Sequence, residues 1–339
     1  MRHAFFAVAL GALWLLSAGI ASAADQPATM RAVVAHDYGE PATLRIEHVA
    51  VPRAGAGEVL VRVAASSVNP IDWKQIEGAT RAWWPLEFPS IPGRDVAGVI
   101  AAVGDGVTGW QVGDPVMAYL GRATGAYAEY VAVPADIVAR KPANLSFEES
   151  AGVPLVGLTA WQALIDAGAL ESGQTVLIHG GAGGVGSAAV QIASARGARV
   201  IATASSRNHE FLKQIGASQA IDYREVRFED VVDDVDLVLD TVGGDTLERS
   251  VQVVRPGGRL VTIAGRAPDA KCEAAGIACV AILVEPNAAQ LDELRSLIEA
   301  GRYRVHVAAV YPLEQVADAL NQNKQGRTRG KIVLDIGRK

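Results

Sequence analysis

The sequence predicts an α/β protein with one β-rich domain and one doubly wound parallel sheet, and three observations carry the prediction. Residues 30–153 hold short Val-rich runs broken by Gly, Pro and Asp, the texture of β-structure. From residue 151 strand-like runs alternate with helical ones, which implies βαβ units and a parallel sheet. At the head of that alternation stands "VLIHGGAGGVG", residues 176–186, with five glycines directly after an apolar run. A chain of 339 residues is long for one core and comfortable for two.

The leading segment differs in kind. "MRHAFFAVALGALWLLSAGIASAAD" sets one arginine before an uncharged apolar run that ends in Ala21-Ser22-Ala23. That is the order of a secretory signal peptide, residues 1–23, and export to the periplasm or the exterior is expected. An uncleaved anchor over residues 4–24 is one alternative; a cytoplasmic protein starting at Met30 is another. No stable membrane span is expected after cleavage.

Strands are then expected over 31–35, 59–65 and 96–103, the last followed by the turn-rich "GDGVTGWQVGD". Strand 175–178 leads into a helix over 185–196, and strand 199–203 into a helix over 209–215. Further strands are expected over 220–222, 235–240, 259–264 and 280–284. Two amphipathic helices follow, around 291–298 and 313–320, before a closing apolar strand over 331–336. The β-rich domain, 30–152, is thus interrupted by 153–284 and completed by 285–339.

Charge and cysteine content narrow the partners. A formal charge of -6 with no basic block argues against nucleic acid. Two cysteines, Cys272 and Cys279, cannot form a zinc cluster by themselves and suggest no disulfide scaffold, although an oxidising compartment would permit them to pair.

Within the glycine stretch, Gly181, Gly183 and Gly186 match G-x-G-x-x-G. The first permits a tight turn, the second lets a pyrophosphate approach the backbone, and the third lets the helix pack on its strand. Gly183, Gly184, Val185 and Gly186 would hold the pyrophosphate at the helix N-terminus. The strand before and the helix after supply the context that makes the motif a dinucleotide site. The next strand reads "RVIATASSRNHE", with no acid before Glu210. An acid there would take a ribose hydroxyl, whereas Ser205, Ser206 and Arg207 offer donors and positive charge to a 2′-phosphate. NADP(H) is the cofactor expected.

With these residues in view, the chain resembles the medium-chain dehydrogenase/reductase superfamily, in its zinc-independent quinone oxidoreductase branch. The carriers are "MRAVVAHDYGEP", "SVNPIDWKQIEG", "PGRDVAGVIAAVG", "GAYAEYVAVP", "LSFEESAGVPLVGLTAWQAL", "HGGAGGVG", "IDYR", "DTVGG" and "GKIVL", in order over 30–336. The resemblance implies a GroES-like β-rich catalytic domain and a Rossmann domain, with the cofactor between them. It places Asn69 and Thr159 near the nicotinamide, and Tyr223 with Ser205 and Arg207 around the 2′-phosphate. It sets Val242 and Gly243 on the adenosine side, and Ala264 and Gly265 close to the nicotinamide. The expected assembly is a homodimer.

No metal is expected. Zinc-dependent members carry a Cys in the stretch that reads "SVNPID" here, and a His where Gly93-Arg94-Asp95 stands. The six histidines, at 3, 36, 48, 179, 209 and 306, show no ligand spacing. Without a Lewis acid a simple carbonyl is hard to polarise. A quinone or an α,β-unsaturated carbonyl needs less help, because conjugation spreads the incoming charge. The candidate catalytic donors are the Asn69 amide and, as second choice, Tyr127. Trp73, Trp83, Trp84 and Phe88 would either wall a flat substrate slot or pack as core. The function expected is NADPH-dependent, zinc-independent reduction of a small quinone or activated carbonyl; the alternative is a non-catalytic NADP-binding sensor or structural protein.

Overall fold

The computed structural model describes residues 26–123 and 125–337. The expected leader, 1–23, lies outside the described residues, among which no helix is long and apolar enough to cross a membrane.

The Val-rich run "EVLVRVAASSV" becomes the strand Glu58–Val68, the axis of the first sheet. It pairs antiparallel with Asp95–Val103, with Tyr130–Pro134 and with the C-terminal strand Lys331–Asp335. Val307–Pro312 flanks that last strand in parallel. The tail therefore returns to the β-rich sheet, and its register, Ile332 opposite Val68, sets Lys331 beside the end of Glu58–Val68. Lys331–Asp335 is buried at every position, which an apolar "IVL" core favours and a leading lysine does not.

The second sheet is wholly parallel and has the strand order Gln219–Asp222, Arg199–Ala204, Thr175–Ile178, Val235–Asp240, Val254–Thr262, Ala278–Ala281. The order runs one way from Thr175–Ile178 through Arg199–Ala204 and the other way through Val235–Asp240, so the chain reverses its winding at Thr175–Ile178. Ligands of doubly wound sheets sit at the carboxyl ends of strands at that switch. The glycine turn lies there. Near-continuous apolar strands such as "TVLI" are buried, as a sheet covered on both faces requires.

Three expectations differ in detail. The run 280–284 is a strand only as Ala278–Ala281. The helix expected over 313–320 begins as a 3-10 turn, Leu313–Gln315, and continues as Val316–Lys324. Cys272 and Cys279 form a disulfide with Cα atoms 6.0 Å apart. Gly276, in the left-handed region at φ 66°, ends helix Asp269–Ala275 and folds the chain back. That reversal brings two residues of short separation face to face, which spacing alone does not show.

Candidate functional site

The glycine turn is built by backbone. The Gly181 N–H donates to Thr203 O at 3.0 Å and the Gly183 N–H to Gly180 O at 3.0 Å. Gly183 then caps helix Gly184–Ala195 in extended geometry, leaving the first N–H groups of the helix without helical partners. A Cβ on Gly186 would stand 2.2 Å from Gly180 O and 2.7 Å from the Gly181 Cα. On Gly183 the nearest atom, Gly180 O, is 3.4 Å away. The third glycine is thus required by the turn itself, whereas the second leaves space in front of the helix.

A cleft of about 650 Å³ opens from this turn. Gly183, Gly184, Val185 and Gly186 line it, as do Ser205, Arg207, Tyr223, Val242 and Asn69. One end carries Ser205, Arg207 and Tyr223, the last of these 59% exposed. Ser206 lies outside the lining; its backbone N–H donates to the Asp222 carboxylate at 2.7 Å. Asp222 also accepts from the Arg224 N–H, which with Ser206 holds its carboxyl below the usual range. The Asp222 carboxylate is thereby committed to backbone N–H groups.

The C-terminal loop closes over the same end. Arg207 donates to Arg327 O at 3.2 Å, and Arg329 returns bonds to Asn208 Oδ1 at 2.9 Å and Arg207 O at 3.1 Å. The Gly330 N–H donates to Ala182 O. Arg327 and Lys331 line the cleft, and neither is among the site residues expected from the sequence.

At the other end Asn69 is fully buried. Its Nδ2 donates to Asp95 Oδ2 at 2.8 Å and, more weakly, toward Ser67 O at 3.4 Å. Its Oδ1 accepts from Lys331 Nζ at 2.5 Å, and Nζ also donates to Val68 O at 3.1 Å. Asp95 accepts further bonds from Ser67 Oγ and the Leu155 N–H. Burial pushes the Lys331 ammonium down and the Asp95 carboxyl up, while their opposite charges resist both shifts.

Several expected residues do not meet the cleft. Tyr127 is corrected: its side chain is fully buried against Gly93, and its hydroxyl donates to Asp72 Oδ2 at 2.8 Å. A phenol so enclosed has no path to a substrate oxygen. Asp72, also accepting from the Asn69 N–H, is pushed up to about 6 by burial. The Thr159 hydroxyl donates to Leu155 O within its own helix, at 2.6 Å. Gly181 faces Ala202 and Leu212. Gly243 is turned to the Asp240 carboxylate, and Ala264 to Thr262 Oγ1. Neither these three nor Thr159 and Gly265 line the cleft, although Ile263 does.

None of the aromatic side chains Trp73, Trp83, Trp84 and Phe88 lines the cleft, and Trp83 is 53% exposed. Trp84 is buried between the guanidinium groups of Arg94 and Arg122, at 4.7 and 4.8 Å from its ring. Trp73 donates to Asn323 Oδ1 at 3.0 Å, and Phe88 meets Tyr38 edge-on at 4.9 Å. Arg94, where zinc enzymes have a histidine, donates to Gly121 O, Ala123 O and Gln75 Oε1.

His179, within the glycine stretch, sits beneath the turn. Nε2 faces Ser250 Oγ at 3.0 Å and Nδ1 faces Thr203 Oγ1 at 3.1 Å. The Ser250 hydroxyl donates to Thr246 O, so it accepts from Nε2–H; Thr203 Oγ1 accepts from the Gly180 N–H and donates to Nδ1. The ring is neutral, pushed down to about 3 by burial and secondly by Arg249.

Known proteins share this sequence and fold. Residues 55–143 match the family described as alcohol dehydrogenase GroES-like domain, and 215–334 the family described as zinc-binding dehydrogenase. The chain is 36% identical over 320 residues to 2-methylene-furan-3-one reductase of Solanum lycopersicum, covering 91% of this chain and 79% of that one. It is 31% identical over 323 residues to quinone oxidoreductase of Homo sapiens, covering 90% and 97%. The solved quinone oxidoreductase from Coxiella burnetii superposes with a TM-score of 0.84 at 34% identity, over 91% of this chain and 99% of that one. A mycobacterial protein complexed with NADPH gives 0.81 at 31% identity, over 91% and 100%.

The expectation of export is corrected by these matches. The quinone oxidoreductases pair with 90% of the chain, and neither secretion nor a signal peptide finds support among them. Export of an unfolded chain would also part it from its nucleotide supply. The chain belongs to the medium-chain dehydrogenase/reductase superfamily, in its quinone oxidoreductase-like group, and is an oxidoreductase.

Proposed function

We propose that the chain passes a hydride from NADPH to a quinone or an α,β-unsaturated carbonyl, without a metal. The cofactor is NADP(H). The observation that carries the reading is a single cleft with a phosphate-type glycine turn between a cationic end and a buried polar end. The residues fit the nucleotide: the open space at Gly183 suits a pyrophosphate, and Ser205, Arg207 and Tyr223 form a donor set for a 2′-phosphate. Val242, 55% exposed, offers an apolar face on the adenosine side. The bound nucleotide supplies the hydride; Asn69 and its partners shape the end where the substrate oxygen would lie. In this reading 30–152 with 285–339 form the catalytic domain and 153–284 the nucleotide domain. A homodimer is part of it, the edge strand Ala278–Ala281 offering an unpaired backbone row to a second copy. Sedimentation equilibrium checks the assembly.

The test is oxidation of NADPH by the purified chain with a panel of quinones and enones. Turnover with either class supports the proposal; tight NADPH binding with no turnover on any of them would favour a sensor. Arg207→Ala is expected to weaken NADPH by about 1.5–3 kcal/mol, the scale of a hydrogen bond to charge, and to leave NADH nearly unchanged. Equal losses for both nucleotides would remove Arg207 from the 2′-phosphate.

Among the described residues no three His, Cys, Asp or Glu side chains are grouped to hold a metal ion. The stretch that matches the zinc-binding dehydrogenase family holds Cys272 and Cys279, which are bonded to each other. Dialysis against a strong chelator is therefore expected to leave the rate unchanged. Loss of activity that zinc restores would overturn the metal-free mechanism.

A further inference from the structure

Lys331 stands before the apolar run Ile332, Val333 and Leu334 of its strand, yet it is 95% enclosed and lines the cleft. Its stem passes the start of the nucleotide helix, with Cδ 3.1 Å from where a Gly184 Cβ would stand. Its head ends at Asn69. An ammonium has three N–H groups. Two donate to Val68 O and Asn69 Oδ1, and the Asp95 carboxylate at 3.9 Å is too far for the third. Asn69 has spent its own N–H groups on Asp95 and Ser67, so the free donor at this end is the ammonium and not the amide. Burying a cation is costly, and Asp95, which already accepts from Ser67, Asn69 and Leu155, returns only part of that cost.

We propose that Lys331 is a catalytic residue, its ammonium donating to the substrate carbonyl oxygen and holding the negative charge that develops there. This rests on the quinone or enone reading above. With an enone, the hydride pair forms a C–H bond at the β-carbon, and the alkene π pair moves between the α-carbon and the carbonyl carbon. The carbonyl π pair moves to oxygen, leaving an enolate against Nζ. Water then protonates the α-carbon, Lys331 keeps its proton, and the nucleotide departs oxidised. Donors preorganised on a developing oxyanion act in this way in a dry site.

The test uses Lys331→Met, similar in length and uncharged. In the NADP⁺ complex, 4-nitrophenol serves as an oxyanion probe, its ionisation read by visible absorbance. The wild-type complex is expected to lower the probe's apparent pKa by at least about one unit, a tenfold bias toward phenolate, and the variant to lose that shift. With NADPH, the variant's kcat on an enone is expected to fall on the order of 100-fold, and less on an electron-poor quinone, while NADPH affinity changes little. No probe shift in wild type, or the same shift in both proteins, would overturn the proposal. So would equal losses on both substrates matched by the loss of NADPH affinity, which would make Lys331 a nucleotide-binding residue. Lys331→Gln, which can still donate to Val68 O and Asn69, replaces Met if that variant does not fold. Absence of wild-type turnover on every substrate would sink the proposed function instead, and the probe titration would still decide Lys331.

Discussion

Gly186→Ala is expected to destabilise the protein by about 3 kcal/mol or more, at the upper end of overpacking costs, whereas Gly183→Ala folds normally and binds NADPH about tenfold or more weaker. The two glycines are three residues apart in one motif, and the structure separates their duties. The added methyl at Gly186 would meet Gly180 O at 2.2 Å and the Gly181 Cα at 2.7 Å. Both are backbone atoms of the turn that holds the helix to its strand, so relief requires the turn to move. At Gly183 the conformation, φ -74° and ψ 179°, is one that alanine adopts freely, and the nearest atom is 3.4 Å away. The methyl there costs the fold little and occupies the space a phosphate would enter. Thermal melts and fluorescence titration with NADPH measure both effects. Comparable loss of stability in the two variants would mean that Gly183 is held by packing and not by the ligand.

A second large effect concerns pH. His179 sits near 3 in the folded protein against 6.5 when free. The unfolded chain thus binds the additional proton, and His179's contribution is complete above pH 6.5 and is lost as pH falls from 6.5 toward 3. Each unit within that window costs about 1.4 kcal/mol. Asp72 acts in the opposite sense: its folded carboxyl is near 6 against 3.8 when free, so its contribution is present below 3.8 and fades as pH rises through 6. The comparison that isolates the histidine is wild type against His179→Gln, which can still accept from Thr203 and donate to Ser250. The wild-type advantage is expected to shrink by about 2 kcal/mol between pH 7 and 5, following the same scale, with denaturant unfolding as the measurement. Parallel stability curves for the two proteins would show that the ring takes up its proton without unfolding.

What could be read in the chain was local chemistry. A glycine turn, the strand before it and the helix after it lie within about twenty residues, and backbone geometry at that range follows from residue type. Ser205 and Arg207 follow the next strand directly, and both line the cleft. The alternation after residue 151 likewise became a parallel sheet with its winding reversed at Thr175–Ile178.

Facing and long-range pairing were decided only by the tertiary structure. Tyr127 reads as a donor in the sequence, yet the close approach of Gly93 turns it inward onto Asp72. Trp84 stacks under arginines and fills core because those guanidinium groups arrive from elsewhere in the chain, whereas Trp83 beside it stays exposed. Cys272 and Cys279 meet because Gly276 reverses the chain between them. Lys331 is the clearest case. A lone charge opening the apolar run "KIVL" was the one signal available. Only the antiparallel register of Lys331–Asp335 on Glu58–Val68 carries it across 262 positions of sequence to Asn69. Residue type sets what a side chain can do within a turn or a strand, whereas packing of distant strands decides which side chains share one dry pocket.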